Sequence, residues 1–187
     1  MRITGGEYRG RLLQSPKDRT IRPTSDKVRL AIFNILNGRG LVQEASVLDG
    51  FCGTGALGLE ALSWGALCCT FLDKNRSSLD LARENHAALK IEAKSSFVLK
   101  DATKAGIKPS DVTAANLVFL DPPYNQNFIP LALQSLSEGG WLAEGAHILV
   151  ESEKDFSPET QVGEGYDILL VRDYGDTKIA LLQRAEL

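Results

Sequence analysis

Apolar positions along the chain fall into short runs that alternate with longer amphipathic stretches. Five short runs predict strands, at 46–50, 68–73, 96–100, 116–121 and 147–152. Between them, apolar residues recur at helical spacing and predict helices at 56–64, 75–90 and 127–137. Alternation of this kind is typical of βαβ units, so the pattern predicts an α/β fold with a mostly parallel, Rossmann-like sheet.

The two ends of the chain break the alternation. Runs at 166–172 and 177–184 are joined by a short Gly-Asp turn with no room for a helix, so an antiparallel hairpin is expected to finish the sheet. Residues 1–14 contain several glycines between extended pieces and predict a β-hairpin or ribbon. Thr24 is the predicted N-cap of a helix that follows this ribbon and ends near Gly38.

Composition limits the class of protein. The 187 residues are 43% hydrophobic and 24% charged, which fits one globular core. We found no apolar run of about 18 residues and no apolar signal segment at the start, so we expect a cytoplasmic protein without a membrane partner. Cys52, Cys68 and Cys69 lack C-x-x-C spacing and have few histidines to help them, so neither a disulfide framework nor a metal site is expected.

The charge is unevenly distributed. The first 29 residues hold eight Lys or Arg against three Asp or Glu, a local charge of +5 in a chain of net charge −3. This favours an anionic partner for that segment, although a solvated basic arm without a partner is the alternative. We therefore expect a basic N-terminal extension of hairpin and helix over 1–37, followed by an α/β domain over 38–187.

A glycine-rich loop follows the first predicted strand and opens a helix. Gly53, Gly55 and Gly58 have the spacing G-x-G-x-x-G, and Asp73 ends the next strand 20 residues after the first of these glycines. Small residues let the backbone approach a ligand closely, and the carboxylate can accept hydrogen bonds from ribose hydroxyls. Both dinucleotides and S-adenosylmethionine carry such a ribose.

Two further carboxylates favour S-adenosylmethionine. Asp49, at the end of the first strand, can hold a cationic amino group and would repel a pyrophosphate. Asp101, just after the third strand, can accept a hydrogen bond from an adenine amine. The alternatives are that Asp49 caps the following helix and that Asp101 is a turn residue. Both lie at carboxyl ends of predicted parallel strands, where such sheets bind ligands.

The sequence "FLDPPYN" at 119–125 follows the fourth strand and points to the same crevice. The Asp121 carboxylate and the Pro122 carbonyl can accept hydrogen bonds from an aromatic amine and direct its lone pair at a methyl donor. Pro122 and Pro123 restrict the backbone, and Tyr124 offers a face for stacking a flat base. An ordinary Pro-Pro turn capped by Asp121 is the structural alternative.

The chain resembles a known family, the bacterial 16S rRNA guanine-N2 methyltransferases of the RsmD type. The resemblance rests on successive blocks that span nearly the whole chain: "RITGGEYRGRLL", "IRPTSDKVRLAIFNIL", "VLDGFCGTGALGLEALSWGA", "FLDPPY" and "ILVESE". It implies a class I methyltransferase fold and methyl transfer from S-adenosylmethionine to the exocyclic N2 of one guanine in 16S rRNA, within an assembled small ribosomal subunit. We expect a monomer.

The resemblance also implies roles for individual residues. In the cofactor site these are Asp49, Gly53 and Gly55 in the loop, Asp73 at the ribose and Asp101 at the adenine. The catalytic turn is Asp121, Pro122, Pro123 and Tyr124, and the expected RNA contacts are Arg11, Arg22, Thr24 and Arg29. Gly50 and Cys52 depart from the family's pattern, where Leu and Ala are expected, and Cys52 is interpreted as a packing residue.

Three other functions are compatible with parts of the sequence. Methylation of adenine N6 in RNA or DNA uses the same kind of Asp-Pro-Pro-Tyr turn. A nucleic-acid-binding module without turnover would have no use for Asp121. A nicotinamide-dependent reductase would use the glycine loop but gives the Asp-Pro-Pro-Tyr turn no role.

Overall fold

The sheet is the framework of this protein, for which a computed structural model describes residues 1–15, 25–123 and 127–185. Its strands are β1 (Ser46–Gly50), β2 (Cys68–Asp73), β3 (Lys94–Leu99), β4 (Ala115–Leu120), β5 (Leu142–Glu153), β6 (Tyr166–Tyr174) and β7 (Thr177–Arg184). The helices are α1 (Asp26–Gly38), α2 (Ala56–Ser63), α3 (Arg76–Leu89), α4 (Phe128–Glu138) and α5 (Pro158–Gln161), with a short 3₁₀ turn at Ala102–Lys104.

The strand order is β3-β2-β1-β4-β5-β7-β6. The five strands from β3 to β5 pair in parallel, whereas β7 pairs antiparallel with both β5 and β6. The predicted mixed sheet with its final hairpin is thus confirmed. The chain order reverses between β1 and β4, and ligands bind at such a reversal, beyond the carboxyl ends of the strands.

Side chains of the central strands alternate between two cores. Leu117 and Phe119 of β4 face the core shared with α1, α2 and α3, whereas Val118 and Leu120 face the core shared with α4. Both sides of the strand are therefore apolar, as expected for a parallel strand covered by helices on both faces. Within the described residues, none of the helices combines the length and apolarity needed to span a bilayer.

Helix α1 begins one residue later than predicted. Ser25, rather than Thr24, is the N-cap: its backbone is extended and its side chain accepts a hydrogen bond from the amide of Val28 at 3.2 Å. Serine and threonine cap almost equally well by sequence, so the choice depends on where the backbone turns helical. Thr24 itself lies outside the described residues.

The N-terminal ribbon, residues 1–15, has one antiparallel bridge between Arg2 and Leu12 rather than two full strands. The amide of Ile3 donates to the carbonyl of Arg11 at 2.9 Å, so the chain does reverse as predicted. Ile3 and Leu13 are buried in the same core as α1 and α2. The division between 37 and 38 stays a prediction.

Candidate active site

The carboxyl ends of three neighbouring strands form the edge of the candidate site. Gly50, the last residue of β1, pairs with Leu72 of β2 on one side and with Leu120 of β4 on the other. The glycine loop therefore leaves the sheet between Asp73 and Asp121. The glycine loop and the Asp121 turn thus lie at adjacent strand ends.

Asp49 is buried beneath this loop. The residue is 2% exposed, and Oδ2 accepts a hydrogen bond from the amide of Gly58 in the first turn of α2 at 2.9 Å. Burial, aided by the nearby charge of Asp73, raises the pKa of Asp49 to about 8 against the opposing effect of the Gly58 amide. The capping role considered for Asp49 is thus present, and its contact with a cofactor stays a prediction.

Asp73 fixes the glycine loop to the end of β2. Its Oδ2 accepts from the amide of Gly53 at 3.0 Å and its Oδ1 accepts from the amide of Asn75 at 2.8 Å. Gly53 has φ +52, and a Cβ added there would meet no heavy atom closer than 4.0 Å apart from its chain neighbours. The loop therefore presents open backbone beside a carboxylate, a cradle that a side chain would fill.

Asp101 is the N-cap of the 3₁₀ turn. Its Oδ1 accepts from both the amide and the hydroxyl of Thr103, at 3.0 and 2.7 Å. Burial alone would raise the pKa of Asp101, but the Thr103 hydrogen bonds and the charges of Lys74 and Lys104 outweigh it, and the pKa lies below its ordinary value. Asp101 thus has the turn role that was its alternative, and the predicted contact with adenine stays a prediction.

The turn that is predicted to be catalytic begins directly after β4. Asp121 is half-buried and has an interaction partner within the protein, Pro122 is buried and Pro123 is exposed. Tyr124 lies outside the described residues. A cavity of about 440 Å³ opens beside the turn, lined by Pro122, Asn127, Ile129, Pro130, Glu153, Phe156 and Gln161.

An aromatic contact that the sequence did not predict links the glycine loop to α4. The rings of Phe51 and Phe128 stack with centroids 6.1 Å apart and an interplanar angle of 15°. Phe51 has φ +63, an uncommon conformation for a residue with a side chain. The only signal in the sequence was an aromatic residue inside a glycine loop, and its stacking partner is 77 residues away.

Gly50 and Cys52 stand where the resemblance leads us to expect Leu and Ala. Cys52 is buried, and burial together with the charges of Asp49 and Asp73 raises the pKa of its thiol far above the ordinary range, so the side chain is a neutral packing group, as interpreted. At Gly50, an added Cβ would lie 3.0 Å from Cδ2 of Leu120. Leu120 therefore occupies the space that a larger residue would need.

Among the predicted RNA contacts, Arg11 is exposed and donates from Nη2 to the carbonyl of Ala88 at the end of α3, at 2.9 Å. Arg22 and Thr24 lie outside the described residues. The prediction for Arg29 is wrong, because its side chain is 0% exposed. A phosphate cannot reach a guanidinium that is buried in the protein.

Arg29 instead joins three segments. Its Nε donates to Oε2 of the equally buried Glu60 at 3.0 Å, and its Nη2 donates to Oδ1 of Asp26 at 2.8 Å and to the carbonyl of Arg2. Glu60 also accepts from the amides of Thr4 and Gly5, both at 2.9 Å. Arg29 lies in a basic segment, and nothing in the sequence indicated that it pairs with Glu60 of α2.

Comparison with known proteins identifies the family. Residues 1–183 match the family described as "Conserved hypothetical protein 95". The chain belongs to this family. The "Ribosomal RNA small subunit methyltransferase D" of Escherichia coli strain K12 is 39% identical over 153 residues, covering 82% of this chain and 75% of that protein. The Haemophilus influenzae protein of the same name is 36% identical over 156 residues, covering 83% and 80%.

A solved structure extends the likeness to the whole chain. An Escherichia coli protein described as a candidate methyltransferase has a TM-score of 0.82 and 34% identity, covering 100% of this chain and 99% of its own. The resemblance to the RsmD type and the class I methyltransferase fold are thereby confirmed. In the described part of the chain, no group of three or more His, Cys, Asp or Glu side chains is arranged to hold a metal ion.

Proposed function

We propose that this protein transfers a methyl group from S-adenosylmethionine to the exocyclic N2 of one guanine in 16S rRNA, within the small ribosomal subunit. One observation carries the proposal: the glycine loop and the Asp121-Pro122 turn leave adjacent strands at the same edge of the sheet, on either side of the reversal in strand order. The names of the two curated relatives support 16S rRNA as the substrate, because both are small-subunit rRNA methyltransferases.

The residues at the glycine loop fit S-adenosylmethionine. That molecule presents hydrogen-bond donors and positive charge: an ammonium group, a sulfonium, ribose hydroxyls and an adenine amine. The protein presents acceptors: Asp73 lies beside the open backbone of Gly53, Asp49 lies in the neighbouring strand β1, and Asp101 lies just after β3. Asp73 would hold the ribose, Asp101 the adenine and Asp49 the ammonium. When bound, S-adenosylmethionine supplies an electrophilic methyl group.

The protein's part in the chemistry is to orient the amine. The guanine amine is a poor nucleophile because its lone pair is delocalised into the ring. The Asp121 carboxylate and the Pro122 carbonyl accept hydrogen bonds from its two hydrogens, which favours a tetrahedral nitrogen and directs the lone pair. After transfer, the proton leaves to Asp121 or to water. A base within folded RNA must first be extruded to reach this turn.

The test identifies the methylated nucleoside. The protein is incubated with methyl-labelled S-adenosylmethionine and unmethylated small subunits, free 16S rRNA or DNA, and the product is digested to nucleosides. Label in N2-methylguanosine from rRNA supports the proposal. Label in N6-methyladenosine replaces it with adenine methylation, and absence of label from every substrate, while S-adenosylmethionine binds, favours a binding module without turnover.

A further inference from the structure

The cavity of about 440 Å³ beside the Asp121-Pro122 turn has the composition of a site for a flat base. Pro122 forms one side of it, Ile129 of α4 and Phe156 contribute apolar surface, and Glu153 contributes a carboxylate. Sites for small ligands have apolar walls with a few polar groups that fix the orientation, in volumes of roughly 300–1,000 Å³. A base whose amine reaches the carbonyl of Pro122 would therefore have this cavity beside it.

The sheet holds Glu153 at the cavity. Glu153 is the last residue of β5, and the parallel register pairs Leu120 of β4 with Val150 of β5, so the carboxyl ends of both strands lie at the same edge. The backbone of Glu153 also pairs with Thr177 of β7, and its carbonyl accepts from the amide of Phe156 at 3.1 Å. Because its backbone belongs to a paired strand, this carboxylate has a fixed origin from which it can discriminate among ligands.

The carboxylate of Glu153 has capacity for a ligand. The residue is half-buried and has an interaction partner within the protein. An ionised carboxylate offers about four positions at which it accepts hydrogen bonds, so such a partner leaves room for an N–H of a ligand. It offers no hydrogen to an acceptor on the ligand.

The hydrogen-bonding groups of guanine match this arrangement. On the edge that carries the N2 amine, guanine presents N1–H, a second donor directly beside the amine. With the amine at the Asp121-Pro122 turn, N1–H needs an acceptor, and among the described residues that line the cavity Glu153 supplies the only carboxylate. Adenine instead presents a bare N1 beside its amine, and a carboxylate repels such an acceptor.

We propose that Glu153 is a specificity-determining residue that accepts a hydrogen bond from N1–H of the target guanine and thereby excludes adenine. The inference rests on the proposed function and supplies the reason for its choice of base. Enzymes that act on an extruded base read it through hydrogen bonds to this same edge. A site built to bind an N–H also rejects a base that lacks it far more strongly than a site of the wrong size does.

A base analogue and a variant of similar size test the contact. The analogue 2-aminopurine carries the reacting amine in the same place as guanine, but its N1 is an acceptor. Glu153→Gln keeps the length of the side chain and supplies an amide N–H that can donate to this N1. The variant should therefore lose part of its activity on guanine and gain activity on 2-aminopurine.

The experiment measures kcat/KM for methyl transfer to small subunits whose 16S rRNA carries guanine or 2-aminopurine at the methylated position, introduced by ligation of a synthetic segment. In the wild-type protein we expect guanine to be preferred by about 100-fold or more. In Glu153→Gln this preference should fall by about 10–100-fold, as expected for loss of a hydrogen bond to a charged group.

Glu159→Gln is the matched control. Glu159 is an exposed carboxylate of α5 that does not line the cavity, so its replacement should leave the preference unchanged. Each preference compares two substrates of one protein, so a general loss of activity or of folded protein cancels. The missing O6 of 2-aminopurine affects all three proteins alike and cancels when their preferences are compared.

Three results overturn the inference: equal kcat/KM on the two bases in the wild-type protein, an unchanged preference in Glu153→Gln, or an equal fall in Glu159→Gln. Failure of the proposed function gives a different result. A protein that forms N2-methylguanosine but keeps its preference in Glu153→Gln retains its function and loses the role assigned to Glu153. Label in N6-methyladenosine from natural rRNA removes the proposed function, and with it the guanine on which Glu153 would act.

Discussion

Asp49 shows at the residue scale how burial sets the protonation of a site. Its pKa of about 8 means that the folded protein holds a proton at pH 7 that the unfolded chain, with an ordinary value of 3.8, has released. The neutral form can still accept the hydrogen bond from Gly58. A cationic ligand beside Asp49 would favour its charged form, so ligand binding and proton release are expected to be linked.

This gives a prediction for the pH dependence of stability. Because the folded state binds the extra proton, the free energy of unfolding should fall as pH rises from about 4 to about 8, by up to about 1.4 kcal/mol per pH unit. The substitution Asp49→Asn introduces an amide that cannot titrate but keeps an acceptor, so this slope should be missing in the variant. Urea denaturation of both proteins between these pH values checks it, and parallel curves would contradict a raised pKa.

A second residue-scale prediction concerns Asp121. Asp121→Ala removes one of the two acceptors proposed for the amine, so kcat should fall by about 100-fold. The affinity for S-adenosylmethionine should change little, because the glycine loop and Asp73 are untouched. Single-turnover kinetics and calorimetry measure the two quantities separately. Asp121→Asn, which keeps one oxygen acceptor, is the matched control and should lose less activity; equal turnover in Asp121→Ala and the wild type would exclude the proposed role.

At the scale of elements, the contact between α2 and β2 depends on Gly58. A Cβ at this position would lie 2.5 Å from Cε1 of Phe71 and 2.6 Å from Sγ of Cys69. The helix can therefore approach the strand only because residue 58 lacks a side chain. This brings the amide of Gly58 within hydrogen-bond distance of Asp49.

Gly58→Ala is accordingly expected to lower the free energy of unfolding by about 1–3 kcal/mol, as overpacking of a core does. Gly38→Ala is the control: Gly38 ends α1, and an added Cβ there meets nothing within 4 Å. That variant should be unchanged or more stable by up to about 1 kcal/mol. Chemical denaturation of both variants measures the difference, and a Gly58→Ala protein as stable as the wild type would show that α2 can move away from β2.

Element bounds were less predictable than element types. Strand β5 runs over Leu142–Glu153, whereas the pattern predicted only 147–152. Its first half contains Glu144 and Gly145, which interrupt the apolar pattern by which a strand is predicted. Its pairing with β4 shifts register between Ala115 and Leu117. Such a shift depends on the partner strand, so local sequence cannot indicate it.

At the scale of the whole molecule, the buried pair of Arg29 and Glu60 links two helices from different parts of the chain, α1 and α2. Both side chains are fully buried, and Nε of Arg29 lies 3.0 Å from Oε2 of Glu60. Removing one partner of a buried pair leaves a charge that neither water nor a counter-ion compensates. The pair therefore ties α1 and the ribbon to α2.

Arg29→Ala should lower the free energy of unfolding by about 3–5 kcal/mol. Arg83→Ala is the control, because Arg83 forms an exposed pair with Asp80 at 2.9 Å. Loss of this pair should lower the free energy of unfolding by roughly 1 kcal/mol or less. Denaturation curves of the two variants compare the effects. If Arg29→Ala were as stable as Arg83→Ala and instead bound RNA more weakly, the structural role of Arg29 would be wrong.

The sequence by itself determined the α/β class, the final hairpin and the placement of the glycine loop and the Asp121 turn at one edge of the sheet. Hydrophobic periodicity encodes helices and strands locally, and parallel strands bring their carboxyl ends to one edge. The tertiary structure decided which polar groups are buried and what they contact. Arg29 forms a hydrogen bond with Glu60, and Asn85 forms hydrogen bonds with Gln14 and Thr54. Each of these pairs is separated by 31 or more residues in the sequence. Burial raises the pKa of Asp49. Desolvation and long-range pairing depend on the packed chain, so residue type and spacing alone do not reveal them.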